Sequence, residues 1–267
     1  MSQDNIICWA GASLSGSRKP RNDDAWIAFS SNLNGAMKLG ASGENSMASQ
    51  DMVFAVSDGM SGGKAGNMAS ALILDRMAIV IPETFKSAAA GFFPDSISHL
   101  KEAVKDVHEH INAAAQEDQQ GMSATLALAW FTPENMYLAS VGDSRIYLSR
   151  GGKLEQLSKD HTAAWAQWKR GEIQEIQYRC HPRRAALYEV VGGGHENVCP
   201  YFAAIPYQTG DRYLVCSDGL IDGVWERQIC NALADSKTPH EACNNLLKRS
   251  MDNSGIDDTT LVVIDIR

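Results

Sequence analysis

Twice in this chain an apolar run ends on the same three residues, and a helical stretch follows. Val53-Phe54-Ala55-Val56 leads into Ser57-Asp58-Gly59, and the run beginning at Arg212 leads into Ser217-Asp218-Gly219. The first copy continues through Gly62, Gly63 and Gly66 into a small-residue helix start, Asn67-Met68-Ala69-Ser70. A carboxylate fixed at a strand end beside a glycine is well placed to hold a hard cation. Its oxygens bind the ion, and the glycine lets a backbone carbonyl approach as a further ligand. A single strand-end Asp is better explained as a solvated turn residue. Repetition is what constrains the fold: both strands must end where such a carboxylate is useful.

The rest of the chain reads as runs of strands and pairs of helices. Strands are predicted at Ile6–Ala10 and Ala25–Phe29, and Ser31–Gln50, rich in Asn, Gly and Ser, as a loop or loose hairpin. Helical spacing covers Ala65–Val80, where Pro82 is expected to break the run, and Asp95–Gln116, with Asp95 as its cap. His108 and His110, near the end of that helix, are expected to face solvent. A strand-dense block follows at Ala124–Phe131, Asn135–Ser140 and Arg145–Ser149, with turns at Thr132–Asn135 and Arg150–Lys153. Ser158–Val191 breaks the pattern and reads as an inserted flap, helical over Ala163–Arg170 and closed by Gly192-Gly193-Gly194. After the strand Arg212–Ser217 come helices Trp225–Ala234 and Pro239–Met251 and a final strand, Thr259–Ile266. Consecutive strands and consecutive helices argue for an α+β layered domain over alternating βαβ units.

The 267 residues carry a net charge of −8, which excludes a phosphate-backbone binder for want of basic excess. No nucleic-acid partner is therefore expected. No apolar run approaches the ~18 residues of a membrane helix, so no membrane partner is expected either. Six cysteines without a Cys-x-x-Cys pair, and a polar Met1–Asn5 start, point to a reducing cytoplasm, with Cys216 and Cys230 as core thiols.

Further acids share the context of Asp58 and Asp218. Asp23-Asp24 stands at a strand start, Asp143 in the turn Val141-Gly142-Asp143-Ser144-Arg145, and Asp257-Asp258 before the last strand. Buried carboxylates repel unless a cation neutralises them, so acids gathered at strand ends make a site for oxygen-loving divalent ions. Competing chemistries lack their motifs. The His and Cys spacings of zinc sites, the phosphate loop and the Gly-x-Ser-x-Gly elbow are all missing.

Asn22-Asp23-Asp24-Ala25, Asp58-Gly59-Met60-Ser61-Gly62-Gly63, Val141–Arg145, Ser217–Leu220 and Asp257-Asp258-Thr259-Thr260 stand in the order found in the metal-dependent protein phosphatases of type 2C. The chain resembles the bacterial members, also through Val141–Thr162 and the flap's His181-Pro182-Arg183-Arg184. The resemblance runs from about Gly16 to Ile266. It implies one catalytic domain over residues 1–267, a flap at about 158–192, and a four-layer α-β-β-α sandwich of two antiparallel sheets with a metal cleft at one end. It implies Mn2+ or Mg2+, two per site. Asp58 would bridge them, the Gly59 carbonyl would bind the second, and Asp218 and Asp257 would bind the first. Asp23 and Asp24 would serve the second, directly or through water. Asp143 matches the residue associated with a third, weaker ion in bacterial members.

The implied activity is hydrolysis of phosphoserine and phosphothreonine by in-line attack of a hydroxide bridging the metals. The implied partners are phosphorylated proteins made by a Ser/Thr kinase, and the expected state is a monomer. An arginine before Asn22 would grip the phosphate. The choice falls on Arg18, with Arg21 and Lys19 as alternatives. Departures from the family pattern motivate a second reading, a catalytically weak phosphoprotein-binding or regulatory module. Asp23 stands for the usual Glu, Ser61 is an extra residue in the glycine turn, Asp258 replaces Asn and adds charge near the metals, and Met60 stands where animal members have His.

Overall fold

The computed structural model describes residues 5–18, 20–48, 50–60, 64–89, 96–118 and 121–267. Its strands are β1 (Ile6–Leu14), β2 (Asp24–Asn32), β3 (Gly35–Lys38), β4 (Ser42–Ser46), β5 (Asp51–Asp58), β6 (Ser123–Ala124), β7 (Leu126–Phe131), β8 (Met136–Val141), β9 (Arg145–Arg150), β10 (Lys153–Gln156), β11 (Val191–Gly192), β12 (Tyr201–Ile205), β13 (Arg212–Cys216) and β14 (Thr259–Ile266). The helices are α1 (Lys64–Ala89), α2 (Ser96–Asp118), α3 (Ala163–Lys169), α4 (Glu175–Arg179), α5 (Asp218–Gly223), α6 (Glu226–Asp235) and α7 (Pro239–Asn253).

Two six-stranded antiparallel sheets carry the fold, in the orders β10-β9-β13-β14-β1-β4 and β12-β8-β7-β5-β2-β3. Their central strands read as unbroken apolar runs because both faces are buried. Along β5, Phe54 and Val56 pack between the sheets while Val53 and Ala55 face α1 and α2. Along β14, Val262 and Ile264 pack between the sheets while Leu261 and Val263 face the α5–α7 side. The result is the four-layer α-β-β-α sandwich, with one core between the sheets and one under each helical layer. Each fully buried Val, Leu or Ile contributes about 1.5–3 kcal/mol.

Several local expectations are corrected. Ser31–Gln50 is not a loop: β3 pairs with β2 in one sheet, and β4 pairs with β1 in the other. Its polar, Gly-rich composition suits edge strands with one solvated side. Pro82 does not break α1, which runs on to Ala89. The buried Ile73, Met77, Val80 and Ile81 fix the helix around it, and their packing outweighs the roughly 3 kcal/mol cost of an interior proline. Ala65–Glu83, moreover, is long and apolar enough to cross a membrane by length and composition, with mean hydropathy 1.2 over 19 residues. That apolarity is spent on the sheet. The Asp95 cap lies outside the described residues. His108 is buried, not solvent-facing: its Nδ1 accepts the Gly192 N–H at 3.1 Å and its Nε2 lies 2.9 Å from the His195 carbonyl. His110 is exposed. Cys230 is only half-buried, while Cys8, Cys216 and Cys243 are buried, and all six cysteines are free thiols.

The turn Val141–Arg145 also does more than join neighbours. β8 lies in one sheet and β9 in the other, so this turn crosses the sandwich. Strand β12 and the short α5 carried no signal strong enough to be predicted.

Candidate metal centre

The strand ends bring the acids of both sheets to one end of the sandwich. Asp24 opens β2 directly opposite Asp58, which closes β5. Asp218 opens α5 after β13, and Asp257 precedes β14. The two serines of the repeated triplet are buried and tie strand ends together. Ser57 Oγ donates to the Thr125 carbonyl at 2.6 Å. Ser217 Oγ donates to Asp24 Oδ2 at 2.7 Å, linking the sheets, and accepts the Thr260 N–H at 3.0 Å. The two glycines are needed because backbone passes over them. A Cβ on Gly59 would lie 2.1 Å from the Gly66 carbonyl oxygen, and one on Gly219 would lie 2.0 Å from that of Asp258.

Thr125 organises the middle of the site. Its Oγ1 accepts the Asp58 N–H at 2.9 Å and lies 2.7 Å from Ser144 Oγ, coupling the end of β5 to the turn that carries Asp143. Gly142, at φ +90°, presses against that threonine. His161 holds the same turn from the other side: its N–H donates to the Gly142 carbonyl at 2.8 Å, and its Nδ1 accepts the Gly142 N–H at 3.3 Å. Burial pushes the His161 imidazole below its ordinary pKa, against the pull of Glu189 and Asp160.

Burial dominates the electrostatics, and the crowding of acids adds to it. Burial drives Asp24 up to about 7, with Asp218 and Asp258 adding to the rise and the Ser217 and Thr260 hydroxyls opposing it. Asp24 Oδ1 is buried without a hydrogen-bond partner. Burial, then Asp218 and Asp160, hold Asp143 well above the usual carboxylate range. Asp218 is raised by burial and by Asp257, while Arg184 and a hydrogen bond with Asp58 pull it back. Among the described residues, no three Asp, Glu, His or Cys side chains close on one point as a preformed ion cage. They stand close enough to repel and to share a proton. The donor set is all oxygen, anionic and short of countercharge, which fits hard divalent cations and not softer ones.

Of the residues read from sequence, Asp24, Asp58, Asp143 and Asp257 are each brought within electrostatic reach of Asp218. Gly59 donates its N–H to the Asp23 carbonyl at 3.1 Å. Asp23 is buried and its N–H donates to Asp258 Oδ2 at 2.7 Å. Arg18 is largely exposed, with Nη1 4.0 Å from Asp257 Oδ2. Arg21 is exposed on the same segment. Lys19 and Ser61 lie outside the described residues. Asp258 has a structural task that the sequence did not show: its Oδ1 accepts the Gly16 N–H at 2.8 Å while Oδ2 holds Asp23.

Sequence reasoning quoted the segments holding Arg145, Asp160 and Arg184 but gave these residues no role. Arg145 and Asp160 are buried and doubly bonded, Nε at 3.0 Å and Nη2 at 2.6 Å, with the Tyr147 and Tyr178 hydroxyls completing the guanidinium. This network pins α4 of the flap to β9. Arg179 of α4 donates to the Ile221 and Val224 carbonyls that end α5. Arg184 pairs with Asp222 and brings Nη2 to 3.7 Å from Asp218 Oδ2. The signal available was a cluster of arginines with no acid beside it in sequence.

An α-β-β-α sandwich that gathers acids from both sheets at one end defines a protein built around divalent cations. Residues 42–255 match the family model described as protein phosphatase 2C, and the chain belongs to that family. It is 32% identical over 228 residues to the serine/threonine protein phosphatase PstP of Mycobacterium tuberculosis (strain CDC 1551 / Oshkosh), covering 85% of this chain but 42% of that protein. The chain thus spans less than half the length of that relative. It is 29% identical to the serine/threonine phosphatase stp of Listeria monocytogenes serovar 1/2a, over 80% of this chain and 84% of the relative. The PstP catalytic domain, solved in complex with two manganese ions, superposes with a TM-score of 0.75 at 26% identity, covering 98% of this chain and 99% of that one.

Proposed function

We propose that this protein is a metal-dependent phosphatase that hydrolyses phosphoserine and phosphothreonine in proteins. The observation that carries the reading is the gathering of Asp24, Asp143 and Asp218 at one end of the sandwich, carboxyls that burial raises first and their acidic neighbours raise further. Mn2+ or Mg2+ would be held by Asp58, Asp218 and Asp257 with the Gly59 carbonyl, by Asp23 and Asp24 on the second ion, and by Asp143 at a third position. When bound, the ions supply Lewis-acid charge to phosphoryl oxygens and lower the pKa of water. The chain's own part is positional. Strand ends of both sheets fix the acids, and Arg18, exposed beside Asp257, offers paired N–H donors to a phosphate. Family membership and the manganese-bound relative support the same reading.

The substrates are products of a Ser/Thr kinase, and the protein acts as a monomer in the cytoplasm; the six unpaired cysteines support that compartment. The test is hydrolysis of p-nitrophenyl phosphate and of a phosphothreonine peptide with Mn2+, with chelator and Asp58→Ala as controls. Activity lost in both controls is expected. Activity that survives both refutes the metal mechanism. No activity together with tight phosphopeptide binding favours the binding module.

A further inference from the structure

A large cavity among the described residues lies away from the acid cluster. It holds about 790 Å3 and opens at the opposite end of the sandwich. β5 runs from Asp51 to Asp58, so its two ends lie roughly 23 Å apart at ~3.3 Å per residue. Asp51 and Ser31 are direct cross-strand partners and project to the same face as Val53 and Phe29, toward α1 and α2. Trp130 and Tyr137, partners across β7 and β8, form an aromatic wall with ring centroids 5.9 Å apart. His99 of α2 and Glu134 of the β7–β8 turn complete the lining.

Two features of this cavity are unusual for a structural void. Asp51 is 6% exposed, and its Oδ2 accepts the Trp130 Nε1 N–H at 2.9 Å, yet Oδ1 accepts no hydrogen bond among the described residues. Ser31 is 2% exposed and its Oγ has no hydrogen-bond partner among the described residues. The buried Ser31 hydroxyl, left without a partner, costs free energy unless something else supplies one, and Asp51 Oδ1 opens on the same cavity. Among the described residues, no lysine or arginine lines the cavity. A donor-rich, positively charged group entering from the cavity would satisfy both the carboxylate and the hydroxyl.

We propose that this cavity is a binding site for an organic cation, a protonated amine carried on an apolar body. The ammonium pairs with Asp51 Oδ1 and donates to Ser31 Oγ, and the apolar body lies against the faces of Trp130 and Tyr137. A carboxylate beside aromatic faces is the arrangement that recognises such cations, through charge pairing and attraction to the ring quadrupoles. Burial also pushes the Asp51 carboxyl up to about 6 against the Trp130 hydrogen bond, as expected where an acid lacks its countercharge.

The test uses three probes of one shape on the full chain: 2-phenylethylamine, 2-phenylethanol and 3-phenylpropionate. Affinities are read by titration calorimetry and by quenching of tryptophan fluorescence. The amine is expected to bind one per chain, and the alcohol at least about tenfold more weakly, a difference of about 1.4 kcal/mol. Asp51→Asn, which keeps an acceptor for Trp130, is expected to bring the amine down to the alcohol's affinity. Tyr137→Leu is expected to weaken the amine several-fold. Equal binding of amine and alcohol, tighter binding of the carboxylate, an unchanged amine affinity in Asp51→Asn, or no amine binding up to about 10 mM would each overturn the proposal. If Asp51→Asn does not fold, the amine-to-alcohol comparison on the unaltered chain decides alone.

Discussion

Asp258→Asn restores the side chain usual in the family, and it is expected to destabilise this protein. Asp258 is 3% exposed and serves two backbone donors, Gly16 N–H at 2.8 Å on Oδ1 and Asp23 N–H at 2.7 Å on Oδ2. An asparagine offers one acceptor oxygen and one NH2. Whichever way the amide turns, one backbone N–H faces another donor and loses its partner, a cost of about 1–3 kcal/mol. The surviving bond changes from charge-assisted to neutral, a further ~1 kcal/mol. Against this stands relief of repulsion, because Asp258 is one of the charges raising Asp24. That offset is on the order of 1 kcal/mol. The net expectation is a loss of about 2 kcal/mol, or a Tm lowered by roughly 4–8 °C for a chain of this size. The assay is urea and thermal unfolding in chelator, with amide exchange at Gly16 and Asp23 as the local readout. Asp258→Ala removes both acceptors and is expected to lose more. A variant Asp258→Asn as stable as the parent, with unchanged exchange at both amides, refutes the two-acceptor argument. A variant more stable than the parent shows that charge relief wins.

Three other perturbations test other parts of the structure. Asp160→Asn leaves the buried Arg145 guanidinium only its longer, 3.9 Å ion pair with Glu226 and is expected to cost about 3–5 kcal/mol in urea unfolding, and a loss below about 1 kcal/mol would sink the idea that this pair anchors the flap. Gly59→Ala puts a methyl group 2.1 Å from the Gly66 carbonyl oxygen; backbone must shift, so a loss of about 1–3 kcal/mol is expected by thermal unfolding, and an unchanged Tm contradicts the packing. For pH, Asp51 is raised from 3.8 to about 6 in the folded chain, so the native state holds its proton more tightly than the unfolded one. Its stabilising contribution is full below pH ~4 and is lost as pH rises through about 6, up to about 3 kcal/mol. Asp51→Asn is expected to flatten that part of the stability–pH curve, and the comparison subtracts the other titrating groups that line the cavity; parallel curves for the two proteins would contradict the shift.

Much of the frame was legible because its causes are local. The buried strands β5, β7, β13 and β14 are largely apolar along their length, since each is covered on both faces, and those apolar runs located them. Helices α2, α6 and α7 carried their spacing openly. The errors arose where long-range contacts overrule local preference. Pro82 sits inside α1 because the turns before it, through Ile73, Met77, Val80 and Ile81, are buried in the core beneath the helix. The polar segment Ser31–Gln50 forms β3 and β4 because two sheet edges were available to pair with. His108 is buried because Gly192 and His195, more than eighty residues away in sequence, supply its partners.

The candidate site divides along the same line. The sequence by itself determined the composition of the centre: strand-end acids, each beside Gly, Ser or Asn, in an order that belongs to one family. That much is local chemistry. Only the tertiary structure decided which acids share a field, that Ser217 ties Asp24 across the two sheets, that Thr125 couples Asp58 to the turn of Asp143, and that Arg184 reaches Asp218 from the flap. It also decided that Asp258 is held by two backbone donors, and that Asp51, an unremarked strand-start acid, sits on the floor of a cavity. The reason is physical. A carboxylate's role depends on the donors, charges and solvent within a few ångströms of its oxygens, and here those neighbours come from residues up to 242 positions away.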